Sequence, residues 1–342
     1  MSRSLMILPD DSAEPILDAI HGATKSLRIK MFILSDPKII NALIRAHDRA
    51  VKVRVMLSPH RRSGKPENEG SSRMLAEAGV DVLDSNPAFD LTHEKSMVVD
   101  DKTGFVQSLN WVLKNFTKTR DYAVITRQLH EVNEIIDCFE ADWSRQDYSP
   151  PEHSHLIWCP ENGRERFVHL IDSAQHSLFV QNERYQDAVI VERLVRAKLR
   201  GVKVHVISRP PHFLKAEKLI EGVGGLQIMN DVGIKIRKLK HLKLHAKTLL
   251  VDGARAIIGS INLSPGSFDK RRELAIEVRD NDILDRLHSV VQHDWKKSHP
   301  LDLTDKGILS DLEAHHQQGV ESLALAATDK NLHPGKVRRP AR

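Results

Sequence analysis

The chain alternates short runs rich in Val and Ile with segments of helical period, and it does so twice. In the first half the apolar runs predict strands near 26–33, 51–57, 80–84, 94–100, 104–108 and 121–127. Segments near 12–24, 36–49, 70–79 and 128–145 carry their apolar residues on one helical face; the second stops before VKVRVML and the third before Gly79. Strands interleaved with helices predict an α/β sheet covered on both faces. The same order then returns. LIRAHDRAVKVRVM is answered by LVRAKLRGVKVHVI and AIHGATKSL by LIDSAQHSL, both 151 positions later. EADWSRQ is answered by QHDWKKS at 152, pairing Asp142 with Asp294 and Trp143 with Trp295, and the two tryptophans are expected to be core anchors.

Two homologous halves of about 150 residues are therefore expected, each long enough to bury its own core. The first spans 1–149 and the second 150–303, joined near DYSPPEHSH, where Pro150 and Pro151 resist continuation of helix or sheet. Residues 304–342 fall outside the repeat: DKGILSDLEAHHQQ predicts one helix and DKNLHPGKVRRPAR a disordered basic tail.

Composition narrows the class. Apolar residues make up 40% and charged residues 28% of the chain, and no run approaches the roughly 20 apolar residues of a membrane-spanning helix. MSRSLMILPDDSAEP interrupts its apolar stretch at Pro9 and carries two aspartates, unlike a secretory leader. Cys138 and Cys159 are too few for a disulfide framework and suit a reducing compartment, so a cytoplasmic location is expected. The net charge of +5 favours anionic partners only weakly. Locally the bias is stronger: KIRKLKHLKLHAK places Lys235, Arg237, Lys238, Lys240, Lys243 and Lys247 together, and PHRRSGK offers Arg61, Arg62 and Lys65 in a loop.

The chemistry lies in the most closely repeated segments. HEKSMVVDDKTGFVQSLNW and HAKTLLVDGARAIIGSINL pair His93 with His245, Lys95 with Lys247, Asp100 with Asp252, Ser108 with Ser260 and Asn110 with Asn262; Asp121 and Glu273 follow at the same offset of 152. On a strand, side chains two apart share a face, so each histidine stands beside a lysine: an anion site with a nucleophile in it. An ammonium so close argues against a metal ligand set, and no cofactor is expected. Asp100 and Asp252, seven positions beyond the histidines, turn to the other face and are expected to hold the turns that follow them. Asp121 and Glu273, each 28 positions after a histidine, are the better candidates for orienting the imidazoles. Ser108, Asn110, Ser260 and Asn262 supply neutral donors for phosphoryl oxygens. Two histidines and two lysines fit a phosphodiester: one histidine attacks phosphorus, the other protonates the leaving alkoxide, and the lysines offset charge.

His-x-Lys, four residues, then Asp, with Ser-x-Asn following, twice in register, resembles the phospholipase D superfamily over about residues 4 to 300. The resemblance implies two α/β/α sandwich halves with mixed sheets, related by a pseudo-twofold axis, with the active site at their seam. It implies catalytic roles for the histidines and phosphate binding by Lys95, Lys247, Asn110 and Asn262, without a metal. Asp100, Asp252, Asp121 and Glu273 complete the expected catalytic set. The sequence departs from the family pattern at Gln107, where Gly is common and the second half has Gly259, and at Asp121, where Glu is usual. Gln107 with Trp111 is expected to narrow one side of the cleft. The activity implied is a metal-independent phosphodiesterase acting on phospholipids through a phosphohistidine, by head-group hydrolysis or phosphatidyl transfer. Contact with an anionic membrane would be peripheral, and a monomer is expected because both motifs lie in one chain. A nuclease of the same superfamily, with nucleic acid as substrate, is the alternative.

Overall fold

The computed structural model describes residues 2–59, 66–213 and 219–315. The basic loop with Arg61, Arg62 and Lys65, and the C-terminal tail, lie outside them. The first half contains strands β1 (Arg3–Leu8), β2 (Ser26–Met31), β3 (Lys52–Leu57), β4 (Asp81–Asp84), β5 (Leu91–Thr92), β6 (Ser96–Val99), β7 (Thr103–Gln107) and β8 (Thr119–Thr126). Its helices are α1 (Glu14–His21), α2 (Pro37–Asp48), α3 (Glu69–Glu77), α4 (Leu113–Thr117) and α5 (Leu129–Trp143). The second half repeats this with β9 (Leu156–Cys159), β10 (Ser177–Gln181), β11 (Lys203–Ile207), β12 (Lys235–Lys238), β13 (Lys243–Leu244), β14 (Thr248–Val251), β15 (Arg255–Gly259), β16 (Arg271–Val278) and β17 (His299–Pro300). Its helices are α6 (Gly163–Asp172), α7 (Ala188–Leu199), α8 (Leu219–Asp231), α9 (Pro265–Asp269) and α10 (Asn281–Lys297), followed by α11 (Asp305–Ala314).

One sheet runs β1-β8-β7-β6-β2-β3-β4 and the other β17-β12-β11-β10-β14-β15-β16-β5. Both are mixed: β2-β3-β4 and β10-β11-β12 are parallel, and β6-β7-β8 and β14-β15-β16 antiparallel. Alternation along each strand divides its residues between two cores. Leu27 and Ile29 of β2, Met97 and Val99 of β6 and Phe105 of β7 pack with α1, α2 and α3. Val98, Val106, Tyr122 and Val124 face the opposite way, into a core shared with Leu250, Ala256, Ile258, Leu274 and Ile276 of the other sheet and with α5 and α10. The outer face of the second sheet packs on α6, α7 and α8. The two halves are thus welded through a common apolar layer, which fixes their relative position to within side-chain packing.

Local signals explain the repeated helix starts. Asp36 accepts hydrogen bonds from the backbone N–H groups of Lys38 and Ile39 ahead of α2, and Asp187, at the equivalent place, accepts from Ile190 ahead of α7. Three elements escaped the periodic reading: β1, whose apolar run is only four residues long before Pro9, two-residue β5, and five-residue α4. The strand expected over 94–100 begins only at Ser96. Trp143 and Trp295 are both half-buried and stack under Arg54 and Arg237; Trp295 packs against the shared core as expected, whereas Trp143 stacks on Phe139.

Candidate active site

Each motif is the point where the chain passes from one sheet to the other. β5 pairs in parallel with Arg271 and Arg272 of β16, in the sheet of the second half. β13 pairs in the same way with Thr119 and Arg120 of β8, in the sheet of the first. Four residues after the end of each short strand the chain has joined the sheet of its own half, at Ser96 and Thr248. His93–Lys95 and His245–Lys247 are the crossings. Their backbones are pinned on both sides: the His93 N–H donates to the Arg272 carbonyl at 2.9 Å and that of His245 to Arg120 at 3.2 Å, while Gln107 and Gly259 donate to the carbonyls of Lys95 and Lys247.

The crossing exchanges the orienting carboxylates. His93 Nδ1 lies 2.9 Å from Glu273 Oε2, and His245 Nδ1 2.7 Å from Asp121 Oδ1. Each histidine is therefore served by the other half, not by the carboxylate 28 residues further along its own. Asp121, although shorter than Glu, reaches its imidazole because Ser108, Thr119 and Asn115 hold it with donated hydrogen bonds of 2.6–3.0 Å. The arginines just before the carboxylates cross in the same sense: Arg120 forks onto Asp294, and Arg272 onto Asp142. These four residues staple the seam, and the repeated Asp beside each tryptophan was their signal in the sequence.

Four expectations change. The hydroxyls of Ser108 and Ser260 donate to Asp121 and Glu273 and accept from the N–H groups of Tyr122 and Leu274, so they hold the carboxylates instead of opening toward phosphate. Asp100 and Asp252 sit at the far ends of β6 and β14 from the histidines, outside the catalytic constellation. They do bind backbone, but not the turns after them: Asp100 accepts from Thr24, Lys25 and Ser26, and Asp252 from Gln175, His176 and Ser177, closing the entries to β2 and β10. Gln107 and Trp111 do not narrow the cleft: both are fully buried, the indole N–H donating to the Gln107 side-chain oxygen at 3.1 Å. Asn110 and Asn262, in contrast, each bury an amide oxygen with no hydrogen-bond partner. A half-turn about the terminal bond exchanges Oδ1 for the donating Nδ2.

All four motif cations and imidazoles are buried, with the histidine side chains 9% and 11% exposed. Burial pushes both imidazoles below their ordinary value against the opposing carboxylates, His93 to about 3. Burial would raise Glu273, but His93 and Lys95 outweigh it and hold the carboxyl near 2. Burial likewise pulls Lys95 down, and the charges of Glu273, Lys247, Glu183 and Asp121 all act on it. The two triads thus occupy one electrostatic site. Each lysine also donates to the carbonyl of its own histidine, which fixes the ammonium beside the ring.

One residue in this site was missed. Glu183, just after β10, bonds Lys247 and Arg209 and places a carboxylate oxygen 3.8 Å from His245 Nε2. Its counterpart 151 positions earlier is Phe32, whose ring lies 4.8 Å from that of His93 and 5.0 Å from Lys95 Nζ. Three clusters of metal-ligand type occur among the described residues, none containing a motif histidine, and each has a cation bonded to its carboxylate: Lys30 and Arg272 on Asp142, Arg3 on Glu131, Lys238 on Asp311.

The paired crossings and the double sheet define a member of the phospholipase D superfamily. The family model for the cardiolipin synthase, PLD-like domain matches residues 16–143 and 167–295, one match per half, and the chain belongs to that family. Cardiolipin synthase B of Salmonella typhimurium is 24% identical over 337 residues, covering 82% of this chain and 78% of its own length. A polyphosphate kinase of Vibrio parahaemolyticus is 25% identical over 82% of this chain, which spans only 42% of the kinase. Among solved structures, the phosphatidylserine synthase of Haemophilus influenzae has the same fold, with a TM-score of 0.72, 12% identity and coverage of 97% and 93% of the two chains. The polyphosphate kinase of Porphyromonas gingivalis gives 0.70 at 15% identity, with 88% of this chain covering 48% of that one.

Proposed function

We propose that the protein is a metal-independent phosphodiesterase acting on phospholipid head groups, through hydrolysis or phosphatidyl transfer. The observation that carries this is the exchange of carboxylates: two imidazoles, each with Nδ1 engaged by the opposite half, both lie within electrostatic reach of Lys247. A carboxylate on Nδ1 selects the tautomer whose Nε2 lone pair can attack phosphorus, and it stabilises the imidazolium when that nitrogen carries a proton. One histidine forms the N–P bond while the other gives its proton to the departing alkoxide. Water or an alcohol then returns the proton and takes the phosphoryl group, and the electron pair of the N–P bond goes back to the first imidazole. Lys95, Lys247, Asn110 and Asn262 hold the non-bridging oxygens in this scheme.

The lipid reading draws on the match to a cardiolipin synthase over most of both chains, whereas the polyphosphate kinases match over less than half of theirs. No helix among the described residues is long and apolar enough to cross a membrane, so a lipid substrate would be met by peripheral, charge-assisted contact. A single chain carrying both motifs supports a monomer, and the two free, buried cysteines suit a reducing compartment such as the cytoplasm. The test uses phosphatidylglycerol and phosphatidylcholine vesicles in chelator, with oligonucleotide in parallel. Head-group release or transfer lost in His93→Ala supports the reading; cleavage of oligonucleotide alone establishes the nuclease instead.

A further inference from the structure

The two halves match at almost every position in the site, so the places where they differ distinguish its two sides. On the His93 side Phe32 and Ser58 occupy the positions that Glu183 and Arg209 take on the His245 side, 151 residues later. The Phe32 ring walls off His93 and Lys95 with an apolar face. Glu183 instead puts its Oε1 on Arg209 and its Oε2 on Lys247, with that same Oε2 3.8 Å from His245 Nε2. Arg209 is itself anchored by donating to the Leu244 carbonyl, beside the motif. Nothing in the phosphodiester chemistry described above requires a carboxylate here, and Lys247, with two of its three donors on Glu183 and the His245 carbonyl, keeps the third for a phosphoryl oxygen.

We infer that Glu183, held by Arg209, forms a subsite beside His245 for the alcohol that leaves or enters, and that it favours an alcohol with a second hydrogen-bond donor near the reacting oxygen. With a phosphoryl oxygen on the third donor of Lys247, Glu183 keeps Arg209 through Oε1 and Lys247 through Oε2, and the second lone pair of Oε2 remains to accept. The reacting hydroxyl must hydrogen-bond His245 Nε2, because that nitrogen exchanges its proton. A neighbouring hydroxyl or amine on the same molecule then falls within reach of Oε2, a distance that a monohydric alkanol cannot use. On the other side Phe32 puts an apolar ring where Glu183 offers a carboxylate. His245 is accordingly the proton donor and His93 the nucleophile: His93 Nε2 forms the bond to phosphorus, the head-group oxygen leaves with its bonding pair and takes the proton of His245, and the incoming hydroxyl reverses both events.

This rests on the phosphatidyl reading above, and the experiment separates the two. Phosphatidylglycerol vesicles are incubated with enzyme and equal concentrations of radiolabelled glycerol, ethanolamine or 1-propanol, and the ratio of label incorporated into phospholipid to phosphatidic acid released is measured for the wild type, Glu183→Gln and Glu183→Asp. The wild type is expected to transfer to glycerol and ethanolamine about tenfold better than to 1-propanol, as one hydrogen bond to a charged acceptor implies. Glu183→Gln should bring the three acceptors within about twofold of one another, and Glu183→Asp should restore part of the preference. Glycerol without ethanolamine marks a hydroxyl subsite, and ethanolamine without glycerol an ammonium one. Turnover of lipid with no acceptor preference, or a preference unmoved in Glu183→Gln, overturns the subsite while leaving the lipid function standing. No product from lipid in the wild type removes both. A radiolabelled phosphoryl adduct on His93 in each variant shows that the variant is folded and has completed the first step; an adduct on His245 overturns the assignment of sides.

Discussion

Asp121, in the first half of the chain, lies 2.7 Å from the Nδ1 atom of His245 in the second. Glu273 makes the matching contact to His93 at 2.9 Å, so neither half orients its own motif histidine. Asp121→Asn should therefore disable His245, not His93. The expected loss in kcat is on the order of 10³–10⁴, the scale of a wrongly held tautomer. Nitrogen NMR should show the tautomer of His245 altered and that of His93 unchanged; the reverse would mean that each carboxylate serves its own half.

The two seam staples should carry stability. Asp294→Ala leaves the buried Arg120 without the carboxylate it forks onto at 2.9 and 3.0 Å, and removing one partner of a buried pair costs about 3–5 kcal/mol. Urea unfolding should show this drop, against less than about 1 kcal/mol for Glu69→Ala, which breaks an exposed pair with Arg73. Equal effects at the two sites would remove the staple from the account.

Much of this was legible because the two halves preserve what both require. The motif histidines and lysines, the carboxylates and the asparagines all stand at one fixed offset, and strand alternation located the sheets that carry them. Exchange between halves was not legible: β5 and β13 are two residues long, too short for any periodicity, yet their pairings with β16 and β8 decide which carboxylate meets which ring. Glu183 and Phe32 were missed for the opposite reason. A repeat displays identity, and these residues matter through their difference. The serines were misread because a hydroxyl serves a carboxylate or a phosphate equally well, and only the fold shows which lies within 2.7 Å.

Gly259→Ala should be far more damaging than its place in a buried strand suggests. A Cβ there meets Ala275 Cα and the Leu274 carbonyl at 2.4 Å, fixed backbone of the neighbouring β16, next to the Ser260 that holds Glu273. Overpacking of this kind costs about 1–3 kcal/mol, and displacement of Glu273 should lower kcat as well. Gln107→Ala, at the equivalent position of the first half, leaves the buried Trp111 N–H without its acceptor and should cost about 1–3 kcal/mol, but with kcat nearly unchanged. Thermal unfolding together with kcat for the two variants checks the contrast.

The pH dependence follows from two imidazoles whose burial lowers them below the ordinary histidine value. The attacking histidine must be neutral, and it stays so as pH falls until about 3 for His93. The donor must be protonated, and His245 loses its proton as pH rises through a value below 6.5. The profile of kcat/KM should therefore be bell-shaped with its optimum on the acid side of 6.5. A bound phosphodiester anion favours the imidazolium, so the alkaline limb of kcat should lie above that of kcat/KM. A flat profile between about pH 5 and 9 contradicts this pairing of roles.

The proposed chemistry requires both imidazoles to act on one phosphorus atom through a phosphohistidine. The direct measurement is mass analysis of protein quenched during turnover of a labelled phospholipid in chelator. The account predicts a single phosphoryl adduct on His93, absent in His93→Ala and strongly reduced in His245→Ala. Undiminished turnover in either variant, or turnover without any histidine adduct in the wild type, would contradict it.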